Sequence, residues 1–72
     1  MQQFTSIQIC QAVAEYSQNA VCVGAAIRFL IGQQRKGEGL FIQACYDGDI
    51  EKALRLADED NLKALKIGLN LS

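Results

Sequence analysis

The 72 residues contain no histidine and no proline. Without histidine there is no Ser-His-Asp or Cys-His pairing of nucleophile and base. The usual zinc sites lose their nitrogen ligand as well. Basic residues are not in excess: seven Lys and Arg stand against eight Asp and Glu, a net charge of −1. No broad positive field exists to hold a polyanion, so non-specific nucleic-acid binding is not expected. The three cysteines, Cys10, Cys22 and Cys45, are odd in number and lack C-x-x-C spacing. They form neither a disulfide framework nor a paired metal motif, and free thiols suit a reducing cytoplasm. The longest apolar run, AVCVGAAIRFLIG at residues 20–32, is 13 residues long, short of the ~20 needed to span a bilayer. The opening MQQFTS offers no basic stretch and no cleavage site, so no signal peptide is expected.

What is present favours helix. Ala, Leu, Gln, Glu and Lys are plentiful, and nothing rigid interrupts them. Half of the residues are hydrophobic, while a chain this short buries only roughly 60% of its unfolded surface. Apolar area is therefore in surplus, which points to self-association. Thr5 with Gln8 has capping-box spacing, and Thr5 or Ser6 can cap a first helix over residues 6–18. Its stripe is Ile9, Val13 and Tyr16, with Cys10 and Ala12 beside it; Gln8, Gln11 and Glu15 form its polar face. Asn19 caps a second helix over residues 20–34. The wheel assigns its bulky side (Cys22, Val23, Ala26, Ile27, Phe29 and Leu30) to the core. The other side carries Val21, Gly24, Ala25, Arg28, Ile31 and Gly32, small enough for a second backbone to approach.

A third helix spans residues 38–46 and stops at Asp47-Gly48. Asp49 caps a fourth over residues 50–57, with Ile50, Ala53, Leu54 and Ala57 inward. Asp60 or Asn61 caps a fifth over residues 61–67, which Gly68 ends. Leu69 and Leu71 leave an apolar tail that either folds back or docks elsewhere. The segment GLFIQACYDGDIEKALRLA, residues 39–57, resembles the helical hairpin of an ankyrin repeat, with an alanine-bearing first helix, a glycine turn and a leucine-bearing second helix. The T-P-L-H opening of that repeat is absent and the flanks show no matching period. The likeness is that of a generic helical hairpin.

Candidate chemistry is thin. Gly37 and Gly39 in QQRKGEG lack the spacing of a phosphate-binding loop; Arg35 and Lys36 there complement a helix C-terminus. A calcium loop starting at Asp47 would need glycine where Lys52 stands and glutamate where Asp58 stands. A DNA-reading helix should expose Arg, Lys, Asn or Gln to the groove, which the second and third helices do not.

The expectation is a single all-α domain over residues 1–72, of four to five short helices packed as antiparallel hairpins. The second helix sits in the middle, covered by the first and third. The function expected is a non-catalytic protein-interaction module, an adaptor, regulator or inhibitor that occludes a partner protein. Such a module needs no cofactor and no metal, is cytoplasmic rather than membrane-bound, and forms a homodimer. Gly24, Arg28, Ile31, Arg35 and Lys36 are its candidate contacts. The alternative is a small helical DNA-binding transcriptional regulator.

Overall fold

A computed structural model describes residues 3–33 and 39–71, which form five α-helices and no strand. They are α1 (Ser6–Tyr16), α2 (Ala20–Leu30), α3 (Leu40–Tyr46), α4 (Ile50–Leu56) and α5 (Glu59–Gly68). The all-α expectation holds.

Local chemistry sets most of the boundaries. Thr5 Oγ1 accepts from the Gln8 amide at 3.1 Å, and the Thr5 amide donates to Gln8 Oε1 at 2.9 Å. This reciprocal pair satisfies two donors that the helix start leaves free. Asn19 Oδ1 accepts from the amides of Val21 and Cys22 and starts α2. Asp49 accepts from Lys52 and starts α4. Three helices end alike. The amides of Gln33, Asp49 and Leu71 reach back to the carbonyls of Arg28, Ala44 and Lys66, and the residue before each amide has positive φ. These are Schellman endings, with Gly32 (φ 79°), Gly48 (φ 72°) and Asn70 (φ 57°) in the left-handed position.

Several boundaries depart from expectation: α1 stops at Tyr16 and α4 at Leu56, two residues and one residue early. Helix α2 ends at Leu30 because Gly32 closes it, four residues earlier than the run of helix formers suggests. Helix α5 starts at Glu59, capped by Asp58, whose Oδ1 accepts from the Asn61 amide at 2.8 Å. Neither Asp60 nor Asn61 is the cap. Gly68 is the last residue of α5, and the left-handed position that closes the helix falls two residues later, at Asn70.

The centre of the molecule is α1, not α2. Helix α1 packs along both α5 and α2 and also touches α3, while α3 and α4 form a hairpin. Ile9, Cys10, Ala12 and Val13 of α1 are buried, but Tyr16 at the end of the expected stripe is 45% exposed. Alanine is the commonest residue of the interior: Ala12, Ala25, Ala26, Ala44, Ala53 and Ala64 are buried, among Ile9, Val13, Ile42 and Leu65. Small side chains let these short helices approach closely. Helix α1 lies close against α5. A Cβ on Gly68 would land on the Ala12 Cβ and lie 2.7 Å from the Ala12 Cα. Leu69 is buried and Leu71 packs on the core, so the apolar tail folds back on the body.

Candidate interaction surface

Helix α2 is apolar nearly all round, so its neighbours decide which side is covered. Ala25 and Ala26 are its buried residues, with Cys22 and Phe29 partly buried beside them. The Phe29 ring stacks on Tyr46 at 5.0 Å between centroids, and the Tyr46 hydroxyl donates to the Ala25 carbonyl at 3.1 Å. Tyr46 thus ties α3 to α2.

The result corrects the assignment of faces. Ala25, placed outside by the helical wheel, is fully buried. Ile27 and Leu30, placed in the core, are 45% and 37% exposed. Relative to expectation α2 is rotated by roughly 70°, at 3.6 residues per turn. Val21 (73% exposed) and Ile31 (62%) lie on the same outward arc. Among the described residues this arc carries four of the exposed bulky apolar side chains, and Arg28 is the one charged residue of α2.

Of the candidate contacts, Gly24, Arg28 and Ile31 fall on this arc. Arg35 and Lys36 lie outside the described residues. A Cβ added to Gly24 would meet only the Arg28 guanidinium, with Nη1 at 3.5 Å. No neighbouring helix requires glycine there. The guanidinium covers Gly24, so this part of the helix is not the bare small-residue surface that the sequence suggests.

One polar cluster escaped the sequence reading. Asn61 is only 2% exposed. Its Oδ1 accepts from the Ser17 hydroxyl at 2.6 Å, and its amide nitrogen donates to Cys22 Sγ at 3.3 Å. The Ser17 hydroxyl also accepts from the Asn19 amide, and the Asn19 side chain donates to Asp58 Oδ2. The α1–α2 turn is thereby pinned to the start of α5. A buried amide with these partners meets its hydrogen-bonding needs inside the fold and needs no ligand. The signal was weak because Asn61 sits three residues after Asp58 and also has the residue type of a cap.

The thiols are free. Burial pushes Cys10 up to about 11 and Cys45 up to about 12. Burial also raises Cys22, against the lowering effect of the Asn61 hydrogen bond. High thiol pKa values suppress the nucleophilic thiolate. Among the described residues no group of cysteines and carboxylates is arranged to hold a metal ion. No helix there is long and apolar enough to cross a membrane. Compared with known proteins, the chain matches no family model, no curated protein and no solved structure.

Proposed function

We propose that this protein is a non-catalytic interaction module that docks on a partner protein through the outward arc of α2. One observation carries the reading: α2 turns alanine inward and Val21, Ile27, Leu30 and Ile31 outward. An exposed cluster of this kind marks an interaction site more often than ordinary surface. The spacing of Ile27, Leu30 and Ile31 suits a helix laid into an apolar groove. The absence of histidine and the high pKa values of Cys10 and Cys45 support a role without nucleophilic chemistry. Free cysteines suit a reducing compartment.

Magnitudes limit self-association. Burying one such aliphatic side chain completely contributes about 1.5–3 kcal/mol. Given the exposures of these four, covering the two arcs of a homodimer, one from each copy, contributes about 6–12 kcal/mol. Association itself costs ~4–15 kcal/mol. The arc alone therefore supports a weak homodimer, and a tight complex requires a partner that adds contacts beyond it.

The test is the double variant Val21→Lys/Ile31→Lys. Both positions are outward-facing, so its thermal midpoint should stay within a few degrees of the wild type. Sedimentation from ~10 µM to ~1 mM should show the wild-type mass rising with concentration and the variant remaining monomeric; at these concentrations ΔG of association spans about −7 to −4 kcal/mol. In affinity capture from the native host, a protein retained by the wild type and lost by the variant is the partner. Identical mass and identical capture for the two proteins would sink the reading.

A further inference from the structure

We draw no further inference here: the strongest candidate, the groove of about 360 Å³ between α1 and the end of α5 bordered by Phe4, Gln8, Gln11, Glu15 and Asn70, carries nothing because its polar side chains are all exposed and nothing in the structure shows what covers it.

Discussion

Replacing Gly68 with alanine should destabilise the protein, against the usual effect of that change in a helix. Alanine in a helix interior is favoured over glycine by about 1 kcal/mol. At Gly68 the new methyl would fall on the Ala12 Cβ, 2.7 Å from the Ala12 Cα and 3.2 Å from Tyr16 Cδ2. Two of these three obstacles belong to the backbone or to a methyl fixed on it, so α1 and α5 must move apart. Overpacking costs typically 1–3 kcal/mol, and a contact with backbone belongs at or above the top of that range. The net expectation is a loss of about 2 kcal/mol, from a total of about 4–11 kcal/mol for a chain of this length. The thermal midpoint should fall by roughly 8–16 °C. Gly24→Ala is the control, because there the methyl meets only the flexible tip of Arg28. It should stabilise by up to ~1 kcal/mol and raise the midpoint by about 4–8 °C. Circular dichroism during heating, with urea titration to confirm an unchanged m-value, measures both. Adding Ala12→Gly to Gly68→Ala should recover part of the loss as a favourable coupling. A Gly68→Ala variant as stable as the wild type would refute the close packing of α1 on α5.

Asn61→Ala should cost about 1–3 kcal/mol, since the part-buried Ser17 hydroxyl loses its acceptor; a urea midpoint unchanged from the wild type would remove the polar pin from the account. Asp49→Ala should cost about 1 kcal/mol through loss of the α4 cap, read as a lower urea midpoint. Cys10 and Cys45 should resist Ellman's reagent at pH 8 in the folded protein and react promptly in urea. Their folded pKa values of about 11 and about 12 lie above the ordinary thiol value of 9.0. The stabilisation from the protonated thiols is therefore complete below pH 9 and is lost as pH rises through those values. Cys45→Ala should flatten that alkaline decline in the urea midpoint, and an unchanged slope would contradict it.

The parts of this fold that were legible beforehand are those controlled by neighbours in sequence. Thr5 with Gln8, Asn19, Asp49 and Gly48 act over three or four residues, and each does locally what its type and spacing suggest. The rotation of α2 is not set that way. Its apolar residues surround the helix, so periodicity gives no strong preference for one side. The choice falls to tertiary contacts: α2 packs along α1, and Tyr46, 21 positions after Ala25, donates to the Ala25 carbonyl. The same limit explains why the greasiest helix was expected at the centre. Close packing of short helices selects small side chains where backbones approach, as α1 and α5 do at Ala12 and Gly68. The likeness of residues 39–57 to a helical hairpin holds in α3 and α4. For the candidate surface, Gly24, Arg28 and Ile31 were identified together, but Ile27 and Leu30 were assigned to the wrong side.

An interior with alanine at six of its positions has an unusual relation to change. In most cores the damaging substitution removes volume and leaves a void. Here many core positions have only one methyl to lose, so shrinkage takes little away. Growth is the hazard, because an added methylene at a buried position has to displace packed neighbours. A saturation scan of Ala12, Ala25, Ala26, Ala44, Ala53 and Ala64 should therefore show a one-sided profile, with glycine and serine the mildest replacements and valine, leucine and phenylalanine the most severe. Drift in such a protein can enlarge the outside freely, but the inside is held at a ceiling of size.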